Sequence, residues 1–205
     1  MNRLIRADQK KARVITIMQK SGIEAKRSVA ASNQSMISKQ KSNAAVAIVA
    51  PSLKLLDKMR DAAVALDSFG IAYNLAVVAA HRAPNKTIKF ASELESEKVE
   101  VIVAGGTGSA HLPGMLASLT TLPVIGVPIK GESLDGIDSL YSMLQMPKGI
   151  PVATIGIDSA YNAGILACQI LCLKHPELKT KLVKHREALE QEVEAEDAKL
   201  RIDQK

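Results

Sequence analysis

The side chains best suited to moving a proton near neutral pH fall in two short stretches. His81 and Arg82 follow one apolar run; Gly105, Gly106, Thr107, Gly108 and Ser109 follow another and lead into His111 and Leu112. An imidazole both gives and accepts a proton in this range. A guanidinium is a permanent fork for phosphate or carboxylate. A glycine-rich turn before a helix leaves backbone N–H groups open to an anion. Each feature also has a structural reading: His81-Arg82 can cap a strand end, and the glycines can simply make a tight turn. Their recurrence at successive strand ends points instead to a site that binds a small anion and transfers a proton. His175 and His185 fall in a terminal helical segment, away from this constellation. Cys168 and Cys172, four apart on one helix face, read as packed thiols, without partners for a metal or a disulfide geometry.

The elements that must position these residues alternate. Ala44–Ala50, Ala72–Val78, Val99–Ala104, Pro123–Val127 and Pro151–Ile157 are short apolar runs of the kind found in strands covered on both faces. Between them, helical periodicity covers Lys54–Phe69 with Gly70 as a stop, Asn85–Lys98 behind Pro84, His111–Leu119, Gly136–Leu144 and Ser159–Leu173. The charged stretch Pro176–Gln204 predicts one long last helix. Alternation at this spacing predicts a parallel sheet with right-handed crossovers. In such sheets ligands bind at the carboxyl ends of the strands, where His81, Arg82 and Gly105–His111 stand.

Composition agrees. The chain has 205 residues, 47% of them hydrophobic and only 2% aromatic, so Ala, Val, Ile and Leu must build the core. The net charge of +6 is uneven: residues 1–43 carry ten Lys or Arg against Asp8 and Glu24, or +8, which leaves the rest at −2. The chain therefore divides into a basic extension (1–43), an α/β domain (44–173) and a C-terminal helical segment (174–205). No apolar run reaches the roughly 18–20 residues that span a bilayer, so no membrane partner is expected. The extension can attract nucleic acid or an acidic partner by counterion release. It has no aromatic side chain for stacking bases, which argues against specific recognition. Being Arg- and Ser-containing and poor in acid, it also fits an organellar targeting segment; otherwise the expected compartment is the cytoplasm.

Beyond these general features, long collinear motifs resemble one family. They are Ala80-His81-Arg82 with Pro84, Ala110-His111-Leu112-Pro113-Gly114-Met115, Leu122–Pro128, Gly136-Ile137-Asp138-Ser139-Leu140-Tyr141-Ser142, and Gln145–Val152. Over about Ala44 to Leu173 the chain resembles the N5-carboxyaminoimidazole ribonucleotide mutases, the PurE proteins. His-Arg and His-Leu-Pro-Gly-Met look like the mutase class of that family and not the class that carboxylates the aminoimidazole directly. The resemblance implies a three-layer α/β/α, flavodoxin-like subunit with a five-stranded parallel sheet. It also implies a homo-octamer whose C-terminal helix packs on a neighbouring subunit. The implied reaction moves CO2 from the exocyclic nitrogen to C4 of the imidazole in purine biosynthesis, with neither metal nor organic cofactor. By the same resemblance His81 handles the proton and His111 joins it at the reacting centre. Ser52, Lys54 and Arg82 would hold the ribonucleotide, and Gly105, Gly106, Thr107, Gly108, Ser109 and Leu112 would line the pocket.

The chain departs from the family after the first strand, where Gly-Ser-x-Ser-Asp becomes Pro51-Ser52-Leu53-Lys54-Leu55. Ala79 stands where the family has a serine, and the third loop reads Gly-Gly-Thr-Gly-Ser-Ala-His. Lys54 can replace lost phosphate contacts with a point charge, whereas Leu55 cannot accept hydrogen bonds from a ribose diol. Two other readings therefore stand beside the mutase: an enzyme of this fold acting on a different anionic substrate, and a catalytically impaired paralogue with a structural or regulatory role.

Overall fold

The computed structural model describes residues 44–203, so the expectations for residues 1–43 lie outside the described residues. Five strands, β1 (Val46–Ala50), β2 (Tyr73–Val77), β3 (Val101–Gly106), β4 (Val124–Pro128) and β5 (Ala153–Thr154), form one parallel sheet in the order β2-β1-β3-β4-β5. This is the doubly wound, flavodoxin-like order, with its switch point at β1 and β3. β1, β3 and β4 are buried at every residue. That explains why they read as continuous apolar runs without alternation.

The helices are α1 (Leu53–Asp57), α2 (Arg60–Phe69), α3 (Pro84–Leu94), α4 (His111–Leu119), α5 (Ile137–Leu144), α6 (Ala160–Cys172) and α7 (Glu177–Asp203). α2 packs against α6 on one face of the sheet. On the other, Ala91 and Leu94 of α3 and Leu112 and Leu116 of α4 close over Ala47, Val49, Ile102 and Ala104. The sheet is thus covered on both sides, and the three layers expected from the sequence are present.

Several boundaries differ from the sequence reading for identifiable reasons. The helix expected over Lys54–Phe69 breaks at Lys58-Met59, where Met59 leaves helical geometry (φ −91°, ψ 3°) and becomes fully buried. Met59 fills the space beside Gly105, whose missing Cβ would lie 2.6 Å from its Sδ. α3 ends at Leu94 instead of Lys98, because Lys98 turns left-handed (φ 63°) and Val99 N–H bonds back to the Leu94 carbonyl. Gly105 and Gly106 are the last residues of β3, not loop residues. The fifth strand shrinks from Pro151–Ile157 to two paired residues at the sheet edge. His175 precedes α7, where it bonds Glu100 (2.8 Å) beside Lys174 (2.8 Å). Burial acts to raise the Glu100 carboxyl, but hydrogen bonds from Lys174 and His175 outweigh it and hold the group below the usual carboxylate range. His185 does lie in α7, edge-on to Phe69 at 5.6 Å. Cys168 is buried in α6 and Cys172 partly so, both free thiols; burial first, then Cys172, pushes Cys168 up to about 11.

Candidate active site

The carboxyl ends of β1, β2 and β3 enclose a cavity of ≈ 230 Å³. Pro51 comes from the first end, Ala79, Ala80, His81 and Arg82 from the second, and Gly106 to Leu112, apart from Gly108, from the third. Parallel strands bring these segments together because all of them exit on the same rim. His81 and His111 meet across the cavity with ring centroids 4.5 Å apart and planes at 46°. Both rings are exposed to the opening, while Ala80, Gly106, Ala110 and Leu112 form the buried floor. At this separation the two rings touch, and side by side they present two imidazoles to one small substrate in the cavity.

Arg82 donates from Nη2 to the Pro51 carbonyl and so ties the β2 exit to the β1 exit. The remaining donors of its guanidinium stay available to an anion. Ser52 is adjacent, but its Oγ accepts from Leu55 N–H (3.3 Å) as the cap of α1. The hydroxyl proton is left to donate elsewhere. Lys54 is exposed on α1 and does not line the cavity. Gly105 lies beneath the floor, packed against Met59 and Ile129, so its part is close approach, not ligand contact. Gly106 admits Ala110, whose Cα would lie 3.1 Å from a Cβ there.

The turn from β3 into α4 is tightly specified. Gly108 has φ 64°, and Ala110 takes a left-handed conformation (φ 37°, ψ 41°) that side chains larger than glycine rarely adopt. Such strain costs about 1–3 kcal/mol and persists only where the surroundings hold it. Gly108 N–H, which the sequence left open for an anion, instead donates to Ser139 Oγ (2.9 Å). Ser139 and Ser142 carry no chemical role in the sequence reading. The only signal for them was their place inside the motif Gly136–Ser142. Farther round the rim, Lys130 pairs with Asp135 at 2.7 Å, and that hydrogen bond first, then the charge, raises the ammonium above its ordinary range. Asp158 Oδ1 accepts from Lys130 N–H (2.9 Å). Among the described residues no three His, Cys, Asp or Glu side chains are grouped to hold a metal.

A larger groove of ≈ 710 Å³ lies at the opposite, amino rim between Glu95, Ala117–Val124, Gly149–Pro151 and Ala153. Its one carboxylate, Glu95, already accepts from Thr120 and Thr121 hydroxyls. It offers no acid–base pair, so the smaller cavity is where the chemistry can occur.

Residues 45–192 match the family described as AIR carboxylase. An N5-carboxyaminoimidazole ribonucleotide mutase of Pyrococcus horikoshii is 46% identical over 165 residues, which cover 80% of this chain and 93% of that protein. The mutase of Thermotoga maritima is 49% identical over 148 residues, 72% of this chain and 86% of that one. A phosphoribosylaminoimidazole carboxylase of Schizosaccharomyces pombe is 53% identical over 133 residues, but these make up only 24% of its length. Among solved structures, PurE of Treponema denticola superposes with a TM-score of 0.70 at 26% identity, covering 76% of this chain and 97% of that one.

Proposed function

Because the chain belongs to the AIR carboxylase family, we propose that it acts as an N5-carboxyaminoimidazole ribonucleotide mutase in purine biosynthesis. The observation that carries this reading is the His81–His111 pair, 4.5 Å apart in a cavity fed by Arg82, in a chain 46% identical to a mutase over most of both lengths. The protonated imidazole of His81 donates to the exocyclic nitrogen as its bond to the carboxyl carbon breaks, which releases CO2 into the cavity. C4 of the electron-rich imidazole then attacks that CO2, and the now neutral His81 takes the proton from C4. The proton count closes on itself, as a mutase requires, and His81 ends in the form in which it began. His111 and the Gly106–Ser109 turn surround the migrating carboxylate. Arg82, Ser52 and Lys54 hold the ribonucleotide phosphate, the charges of Arg82 and Lys54 making up for the hydroxyl lost at Ala79. No cofactor enters this sequence of steps.

Leu55 and Ala79 favour a second reading, in which the same site takes an anion with a less polar ribose-facing part. Incubating the purified chain with N5-carboxyaminoimidazole ribonucleotide decides between them. The mutase reading expects formation of the C4 carboxylate, and His81→Asn reduces turnover at least a thousandfold with the fold intact. Turnover of His81→Asn within about threefold of the parent removes His81 from the proton step. A parent without turnover that gains it as the Lys54→Ser, Leu55→Asp, Ala79→Ser variant supports the second reading.

The functional unit is a closed homo-oligomer, an octamer by the family resemblance. Two exposed apolar stripes support this: Ile137, Tyr141 and Leu144 on α5, and Leu189, Val193 and Leu200 on α7. Leu178, Lys181 and His185 hold the first turns of α7 on the chain's own body, and by the family resemblance the exposed remainder of α7 lies across a neighbouring subunit. Light scattering that gives a 21.9 kDa monomer at micromolar concentration sinks this assembly. Among the described residues no helix is long and apolar enough to cross a membrane.

A further inference from the structure

We propose that Ser139 and Ser142 of α5 are positioning residues that hold the β3–α4 turn in its binding geometry, a role that rests on the mutase reading of the cavity. Ser139 is fully buried, unusual for a hydroxyl, and each of its hydrogen-bonding groups is committed. Its Oγ accepts from Gly108 N–H at 2.9 Å and donates to the Ile129 carbonyl at 3.1 Å. Its own N–H is fixed by Asp138 Oδ1 at 2.9 Å. One hydroxyl thus joins the turn after β3 to the exit of β4. Ser142, one turn further along α5, shares its single proton between the Gly108 carbonyl (3.2 Å) and the Ser139 carbonyl (3.0 Å). Both peptide groups that flank the Gly108 Cα are therefore gripped from α5, which lines none of the cavity itself.

The grip matters because of what lies on either side of Gly108. Thr107 and Ser109 line the cavity, and two residues on, Ala110 holds the strained left-handed conformation that starts α4 at His111. Within the turn, that conformation is secured only by Ala110 N–H to the Thr107 carbonyl at 3.2 Å. A relaxed turn would swing His111 away from His81 and scatter the donors around the carboxylate. The two serines thus supply preorganisation: in their absence only a fraction of molecules has the turn competent, and the apparent affinity falls by that fraction.

The test measures turnover of N5-carboxyaminoimidazole ribonucleotide and amide exchange at Gly108 in the full chain. Ser139→Ala is expected to raise KM about 10- to 100-fold with kcat within about threefold, because bound substrate reorders the turn. A merely structural loss would lower the active fraction, and so kcat, with KM unchanged; that result overturns the proposal. Gly108 exchange should quicken at least tenfold, and unchanged exchange overturns it as well. Cys168→Ala, a buried truncation on the other face of the sheet, controls for lost stability and should leave KM unchanged. If Ser139→Ala does not fold, Ser142→Ala should raise KM about threefold or more and Ser142→Thr should restore it; equal KM values in the two overturn the proposal. If the parent shows no turnover, the mutase reading fails, and Gly108 exchange alone then decides the clamp.

Discussion

Gly164 of α6 sets how close the α2–α6 pair can approach, and Gly164→Ala should weaken the body of the protein measurably. A Cβ placed there would lie 2.6 Å from Ala65 Cβ, 2.7 Å from the Ala62 carbonyl oxygen and 3.3 Å from Ala62 Cα. All three atoms are backbone or attached directly to it, so no change of rotamer relieves the clash. Ordinary contacts between such atoms sit near 3.5–4.0 Å, so the helices must part by about 1 Å. Overpacking of this kind costs about 1–3 kcal/mol, and contact with two backbone atoms argues for the upper half of that range. Opposing it, alanine is about 1 kcal/mol better than glycine inside a helix. The net expectation is about 1–2 kcal/mol of destabilisation. At about 2–4 °C per kcal/mol for a chain of this size, the melting temperature falls by about 2–8 °C. Thermal unfolding followed by circular dichroism, at one fixed protein concentration so that assembly does not shift the midpoint, reads this directly. A melting temperature equal to or above the parent's refutes the reasoning. Catalysis per folded molecule should not change, since neither α2 nor α6 lines the cavity.

The Glu100 carboxyl is held below its ordinary range in the folded chain, so its contribution is present above the unfolded value of 4.5 and is lost as pH falls through the lower folded value. The urea midpoints of the parent and Glu100→Gln should therefore differ at pH 7 and draw together as the pH falls below 4.5; a gap that does not narrow contradicts this. Lys54→Ala should raise KM about 10- to 150-fold with little change in kcat, the worth of one charge-assisted hydrogen bond to phosphate. A KM within twofold of the parent's shows that Lys54 leaves the phosphate to Arg82 and Ser52.

Much of this architecture was legible because parallel strands buried on both faces leave unbroken apolar runs. Ala44–Ala50 and Val99–Ala104 could be read that way, with helical periodicity between them. His81, Arg82 and His111 were legible because strand exits in such a sheet share one rim. What escaped the reading depends on contacts between segments distant in sequence. The break at Met59 exists because Gly105, 46 positions later, leaves a space for its side chain. The end of α3 rests on a lysine in a left-handed turn, a conformation that carries no glycine to announce it. Ser139 looks like any helical serine until the Gly108 peptide is set against it. The placement of Gly105 and Gly106 in a loop failed because glycine was read only as a turn former, whereas here its smallness admits Met59 and Ala110.

The two rims of the sheet have separate occupations. The cavity draws on the carboxyl rim, while the amino rim, through Glu95, Thr120, Thr121 and Ile150, holds only hydrogen bonds and packing. Changes at one rim are thus free of first-order consequences at the other. The segment after β1, Pro51–Leu55, can therefore vary without renegotiating the scaffold. In the laboratory, new chain ends or an inserted domain belong in the turn at Ser96–Lys98. There the backbone reverses at the surface, and His81 and His111 stand at the other rim, a strand length away.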